Sequence, residues 1–383
     1  MTTLARTHVA TRRNVPPFDL ILLTATLLVS VIGVVMVYTA TRGSLLAQGE
    51  DPKTFLKKQG LFVVLGVITM VVVALIDYRR IEPVANILYW LIVLALLGVF
   101  VVGSSAQGAA RWFSLGPLQL QPSEFAVLAL ILAVAAYCAR REEEGLAWRD
   151  VFRLLIMAGI PIILVLLQPD LGTAMIMAIV LLVLLAVAGL PIRILVMLLV
   201  ATALLAVVAV EGGLLQHYQI ARLTTFLNPN SHSTNRFVQS AIYNTQQAKN
   251  AIGSGGWFGS GIGHGVETNL GYVPEQQTDF IFTAVAEQLG FVGSVGVLVL
   301  LGVIAWRVLH AAVVARDTFG RLICSGLFAF FAFSVFQNAG MTMGIMPITG
   351  IPLPFLSYGG TAVLVFFGAV GLALSVGARR KFR

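Results

Sequence analysis

Two carboxylates stand out for the chemistry they could do, both in the stretch Tyr272 to Gly293, YVPEQQTDFIFTAVAEQLGFVG. Asp279 follows a turn marked by Pro274 and a polar run from Glu275 to Thr278; Glu287 lies eight residues on, in a hydrophobic helix that starts without a spacer. An ionisable side chain inside a bilayer costs roughly 3 kcal/mol on insertion scales and tends to mark function. Asp279 stands at the rim of that helix, reachable by a lipid headgroup and by a soluble partner, where a carboxylate can act as a general base. The structural alternative is that Thr278 or Asp279 caps the helix. Glu287 falls about 12 Å deeper and roughly 80° round the helix. It is expected to face a neighbouring helix or a wet cavity rather than the reacting atoms. No His/Cys cluster has metal-ligand spacing and no Gly-x-Ser-x-Gly elbow occurs. The five histidines, His8, His217, His232, His264 and His310, are scattered. That leaves carboxylates and external cations.

The elements that must hold these groups are membrane helices. The 383-residue chain is 58% hydrophobic and 11% charged, against roughly a quarter charged in soluble proteins. The basic balance, a net charge of +8, sits beside the apolar runs, where it sets orientation. Nucleic-acid binding is therefore not expected. Cys138 and Cys324 fall in or beside apolar segments, so no disulfide framework is implied. The first apolar run, Phe18 to Ala40, is long enough to span and stay rather than serve as a cleaved signal.

Ten spans are predicted, near 18–40, 60–76, 84–102, 122–139, 151–167, 171–188, 190–210, 280–305, 319–340 and 357–378. With the N-terminus inside, 17 of the 25 Lys and Arg fall in inner segments and 8 in outer ones, which orients the chain. The expectation is an all-α polytopic membrane protein of about ten transmembrane helices in a single domain over 1–383. Both tails, 1–17 and the basic 379–383, are cytoplasmic, and a large extracytoplasmic loop, 211–278, joins helices seven and eight. In that loop Leu215, Tyr218, Arg222 and Phe226, and then Phe237, Ala241, Thr245, Ala248 and Ile252, recur at helical spacing and predict two amphipathic helices. Seven of the thirteen residues from Gly253 to Gly265 are glycine, a stretch that can hinge or bring backbone N–H groups to an anion. No Gly-Lys-Ser/Thr follows, so it is not a nucleotide loop.

Further polar marks gather at the outer span ends. Arg111-Trp112 precedes Gln121-Pro122-Ser123-Glu124, where Pro122 and Glu124 suit a helix start. Gln168-Pro169-Asp170-Leu171-Gly172-Thr173 forms a tight turn in which Asp170 can cap the next span. Pro347, Pro352 and Pro354 shape the loop before Ser357-Tyr358-Gly359-Gly360. No interval repeats along the chain.

Taken together, Arg111-Trp112, QPSEF at 121–125, QPDLGTA at 168–174, GSGIGHG at 259–265, PEQQTDFIF at 274–282 and PLPFLSYGG at 352–360 carry a resemblance. In order, and over nearly the whole chain, they resemble the SEDS family of bacterial cell-wall membrane proteins, which includes RodA, FtsW and SpoVE. MPITGIPLPFLSYGGTA is more similar to the elongation branch, RodA. The resemblance implies a peptidoglycan glycosyltransferase that polymerises lipid II at the outer face of the bacterial cytoplasmic membrane, with a class B penicillin-binding protein as transpeptidase partner. It implies Asp279 as the essential acid, and a substrate site drawn from Arg111, Trp112, Gln121, Ser123, Glu124, Asp170, Lys249, Glu275, Thr278, Glu287 and Ser357. The chain departs from the family pattern in having Val127 and Ser260 where lysine is usual, and Gln288 where a second glutamate is usual.

On that basis Asp279 is expected to act as general base, or through a bound divalent ion such as Mg or Mn, on the 4-hydroxyl of the acceptor N-acetylglucosamine. That hydroxyl displaces the lipid diphosphate from C1 of the donor N-acetylmuramic acid with inversion. Arg111, Lys249, Arg222 or Arg236 are candidates to stabilise the leaving group, Arg111 foremost for its short outer loop beside Trp112; the plainer role of each is headgroup anchoring. Two other classes fit ten spans with carboxylates at the membrane: a lipid II flippase, and a non-catalytic scaffold for a partner synthase.

Overall fold

The computed structural model describes residues 18–106, 109–115, 118–212, 216–228 and 235–379. Apolar helices occupy all ten predicted spans: α1 (Leu20–Ala47), α2 (Thr54–Leu75), α3 (Ala85–Val102), α4 (Pro122–Ala139), α5 (Trp148–Leu167), α6 (Leu171–Val187), α7 (Ile192–Glu211), α11 (Ile281–Val314), α12 (Thr318–Met343) and α13 (Gly360–Ala378). Eight are long and apolar enough to cross a membrane, α6 is a shorter apolar helix, and α7 is apolar over Ile192–Leu205. The outer segment carries the two amphipathic helices, α8 (His217–Leu227) and α9 (Arg236–Ser254), and a short α10 (Val266–Leu270). Leu215, expected on the first, lies outside the described residues.

One element was not anticipated. Between α3 and α4 the chain forms three short antiparallel strands, β1 (Ser104–Ala106), β2 (Ala109–Leu115) and β3 (Leu118–Leu120). Trp112 pairs with Ser104, and Phe113 with Leu120. Strands this short give too little alternation to show against the flanking apolar runs.

Helix α13 is the axis of the bundle: 89% of its span is buried, against 28% for α2 and α3, whose exposed leucines and valines make up the lipid-facing skin. Phe330, Phe331, Phe355, Phe366 and Phe367 interlock where α12, α13 and the loop between them meet. The helix ends follow from local chemistry. Asp19, Asp170 and Asp317 each accept backbone N–H groups as N-caps, and Pro122 opens α4.

At one end of the bundle the charged groups pair with one another. Arg307 bonds Asp19, Arg379 lies 3.6 Å from Asp77, and Asp317 accepts from Arg79 Nε at 2.9 Å and from Tyr78 Oη at 2.7 Å. Asp317 also caps α12 through Gly320 N at 2.8 Å. We expect Asp317→Ala to cost about 2 kcal/mol, from the lost cap and the stranded Tyr78 hydroxyl, with little from the partly exposed ion pair. Thermal unfolding of the purified protein in detergent should show a lower Tm; an unchanged Tm would contradict this.

Helix α11 has 34 residues, about 51 Å at ~1.5 Å per residue, well beyond a hydrocarbon core of ~30 Å. It breaks at Gly290, where φ 68° and ψ −166° leave the helical region. The first segment, from Ile281 to Gln288, is wholly buried in protein; Phe291, Val292, Val295 and Val299 beyond the break are exposed and apolar.

Candidate functional site

Asp279 sits on a turn wound around a single carbonyl. Glu275 O accepts from Thr278 N at 3.2 Å, Asp279 N at 3.1 Å and Thr278 Oγ1 at 3.1 Å, and Glu275 itself takes a left-handed φ of 49°. The N-cap of α11 is Phe280, with no side-chain cap bond, so neither Thr278 nor Asp279 caps the helix. From beneath, Asn338 Nδ2 donates to Asp279 O at 2.8 Å and to Ile351 O at 2.7 Å, tying the turn to the α12–α13 loop. Tyr358 N adds a bond to Gln277 O at 2.8 Å. Gly350, at φ 77°, passes so close that a Cβ there would lie 3.2 Å from Asp279 Oδ2.

The carboxyl is half-buried. Burial pushes its pKa up to about 6, the Arg222 guanidinium opposes the rise, and Glu275 and Asp170 add to it. Such a group is largely ionised at neutral pH yet basic enough to accept a proton.

A second carboxylate faces the same space. Asp170 Oδ2 accepts from Gln121 Nε2 at 3.2 Å, Ser123 Oγ at 3.1 Å and Thr173 Oγ1 at 2.9 Å. The motifs at 121–124 and 168–173, 47 residues apart in sequence at Ser123 and Asp170, thus form one cluster. Glu124 belongs to it, and its Oε2 has no hydrogen-bond partner among the described residues. Val127, where the family usually has lysine, lies three residues further along α4 and is 1% exposed in the core.

Glu287 lies elsewhere. It is 1% exposed, and its carboxylate accepts from Glu267 N at 2.8 Å, Thr268 N at 3.0 Å and Thr268 Oγ1. It therefore clamps the first turn of α10. The other two departures from the family pattern belong to the same clasp. Ser260 N bonds Glu287 O at 2.9 Å, while Gln288 bridges Gly263 N at 2.8 Å and Thr39 Oγ1 at 3.0 Å. After the Gly290 break, Phe291 N and Val292 N bond Gly256 O and Trp257 O. The glycine run is thus stitched to α11, and no anion is needed to order it.

The remaining expected residues are dispersed. Arg111 and Trp112 are on β2. Lys249 is exposed on α9, its stem against Gly344. Ser357, 2% exposed, accepts from Leu353 N at 2.8 Å and so fixes its own turn. Glu275 and Thr278 frame Asp279. Sequence reasoning did not single out Asn338, Gln219 or Thr349, which also border the site. Asn338, beside Gln337 in an apolar helix, carried a usable signal, because uncharged polar side chains within a span call for partners too; Thr349 in a proline-rich loop carried none.

The donor set does not assemble a cation cage. No group of three or more His, Cys, Asp or Glu side chains comes together among the described residues, and the charge that Asp279 senses most strongly is the positive one of Arg222.

Comparison with known proteins gives a consistent picture. Residues 19–381 match the FtsW/RodA/SpoVE family, described as cell cycle proteins. Peptidoglycan glycosyltransferase MrdB of Escherichia coli strain K12 is 37% identical over 336 residues, covering 88% of each chain. The rod shape determining protein RodA of Thermus thermophilus superposes with a TM-score of 0.70 at 30% identity, over 96% of this chain and 98% of that one. A structure described as showing coordination of polymerization and crosslinking by a peptidoglycan synthase complex contains a chain that matches with a TM-score of 0.77. That chain is 31% identical, with 94% of this chain and 97% of that one covered.

Proposed function

The chain belongs to the FtsW/RodA/SpoVE (SEDS) family and is a peptidoglycan glycosyltransferase, and from that premise we propose that it polymerises lipid II with Asp279 as catalytic carboxylate. It is a multi-pass membrane protein. In this reading it lies in the bacterial cytoplasmic membrane with both termini inside and Asp279 facing out, and serves cell elongation and shape. The observation that carries the reading is the half-buried Asp279, held by its backbone and not consumed as a helix cap.

The Asp279 carboxylate takes the proton from O4 of the acceptor N-acetylglucosamine. O4 then forms a bond to C1 of the donor N-acetylmuramic acid, the C1–O bond to the lipid diphosphate breaks, and the electron pair leaves with the diphosphate. A placed base contributes roughly 10² to 10⁴ in rate, and holding both sugars in line contributes more. A class B penicillin-binding protein is the proposed crosslinking partner. The apolar groove between α11 and α12, where Gly302, Ala305, Ala332 and Gly340 lie among larger side chains such as Leu298, Phe336 and Met343, is a surface suited to a partner's transmembrane helix.

The flippase and scaffold readings are disfavoured by the charge distribution. A flippase needs polar groups along both halves of a pathway, whereas at the far end Asp19, Asp77 and Asp317 are each paired with arginine. Purified protein with labelled lipid II decides among the three. We expect polymer from the protein alone or with its partner's glycan-inert transpeptidase. Transbilayer movement without polymer would make it a flippase; polymer only with an active partner glycosyltransferase would make it a scaffold. The same assay checks protonation. Asp279 must be ionised to act as base, so the rate should fall below pH 6, by about tenfold per unit at the acid limit, from its pKa of about 6. A rate flat from pH 7 to pH 5 would remove Asp279 from the proton transfer.

A further inference from the structure

A narrow cleft opens beside Asp279, between α8 and the 347–349 segment. Two of its polar lining side chains are more than nine-tenths buried, Gln219 at 5% exposure and Thr349 at 8%. Gln219 Nε2 and Thr349 Oγ1 have no hydrogen-bond partner among the described residues. Gln219 is not free to turn away: its Oε1 accepts from Gln216 N at 2.9 Å in the first turn of α8, which commits Nε2 to the other side. Arg222, on the same helix, lines the cleft with its guanidinium 5.4 Å over the Tyr218 ring. Buried donors without partners are rare in folded proteins, and a donor pair beside a cation is a request for an oxygen acceptor.

The charge around the cleft narrows what that acceptor is. Asp279 feels Arg222 as an opposite charge and, less strongly, Glu275 and Asp170 as like charges, so charges of both signs bear on this space. A further anion would meet Asp279, Glu275 and Asp170 as well as Arg222, and an ammonium would meet Arg222 and two N–H or O–H donors. An uncharged carbonyl oxygen, which only accepts, meets neither penalty. Thr349 adjoins Gly350, which abuts the Asp279 carboxylate, so a group in the cleft belongs to whatever sugar Asp279 deprotonates. Resting on the polymerase reading above, we propose that Gln219 Nε2, Thr349 Oγ1 and Arg222 bind an amide carbonyl of lipid II, namely the acetamido oxygen of an amino sugar. The cleft is thereby a specificity determinant for N-acetylated substrate.

The test measures binding without turnover, using full-length Asp279→Asn protein in nanodiscs and fluorescent lipid II. Thr349→Val and Gln219→Glu are both isosteric, and the latter keeps the oxygen that bonds Gln216 N. Each should weaken binding of N-acetylated lipid II about tenfold, as expected for one hydrogen bond to a buried polar group. Lipid II carrying glucosamine in place of N-acetylglucosamine should bind the parent about tenfold more weakly, and the two variants should lose nothing more against it. A purely structural role would weaken both substrates alike. Lipid II with a shortened stem peptide separates the two carbonyl sources. If the variants still lose tenfold against it, the acetamido group is the ligand. If they lose nothing against it but do against the deacetylated substrate, the ligand is a stem-peptide carbonyl and the acetamido assignment is overturned. Parental affinity in both variants would mean the cleft holds only water, which overturns the proposal. A parent that binds no lipid II at all would instead remove the polymerase reading itself.

Discussion

Asp279→Asn should abolish glycan-chain formation from purified lipid II while leaving a folded, membrane-inserted protein. The two halves of that expectation rest on different contacts. Folding rests on the backbone: Asp279 N and O are held by Glu275 O and Asn338 Nδ2, and neither bond involves the side chain. The amide is isosteric with the carboxylate and removes a charge that burial disfavours, so stability should hold or rise slightly. In the proposed mechanism, catalysis rests on the side chain. An amide oxygen is a far weaker base than a carboxylate held near pKa 6, and losing a placed base costs roughly 10² to 10⁴ in rate. Electrophoresis of the labelled product, with Tm measured on the same preparation, separates the two. Equal polymer from variant and parent would remove the assignment, and no polymer from an unfolded variant would be excluded by the Tm.

The next largest effect is expected at Glu287, for a different reason. Glu287→Gln keeps the size of the side chain but turns one acceptor oxygen into an N–H donor, which then faces Glu267 N or the Thr268 groups. Donor against donor in a site 1% exposed costs about 2 to 3 kcal/mol, and the cost falls on the clasp between the glycine run and α11. Opening of residues 255–270 should become roughly 30- to 150-fold more frequent, read as faster backbone hydrogen exchange in that segment and not in α13. Polymerisation should fall with it. Thr268 also accepts from Gln276 Nε2 at 3.1 Å, and Gln276 in turn donates to Thr283 Oγ1 at 2.9 Å, so the clasp braces the turn that presents Asp279. Unchanged exchange in the variant would show that Glu287 is not what holds the loop.

These two carboxylates lie eight residues apart in one motif, and the difference between them was only partly visible in the chain. Helical spacing puts Glu287 deeper than Asp279 and turned away from it, and its carboxylate is spent on α10. Its partner was expected to be a neighbouring helix or a wet cavity. The helix is the short α10, reached across the glycine run and met mainly through its backbone, and a bond to a backbone N–H leaves no trace in the partner's residue type. The bland reading of Asp279 as a cap failed for a similar reason: capping depends on φ and ψ at Phe280, which composition does not fix.

What the amino-acid sequence determined by itself was everything that repeats along one dimension. Long apolar runs gave the ten spans, because a bilayer demands internally satisfied helices of a minimum length. Period-3.6 patterning gave α8 and α9, and in-order motifs gave the family. Tertiary structure alone decided which polar groups share a space. Asp170 joins Gln121 and Ser123, Asn338 reaches Asp279, and Gln219 meets Thr349 across a cleft, because α4, α6, α8 and α12 pack their ends together. That packing is governed by side-chain shape and close backbone approach, which depend on three-dimensional neighbours that no linear spacing records.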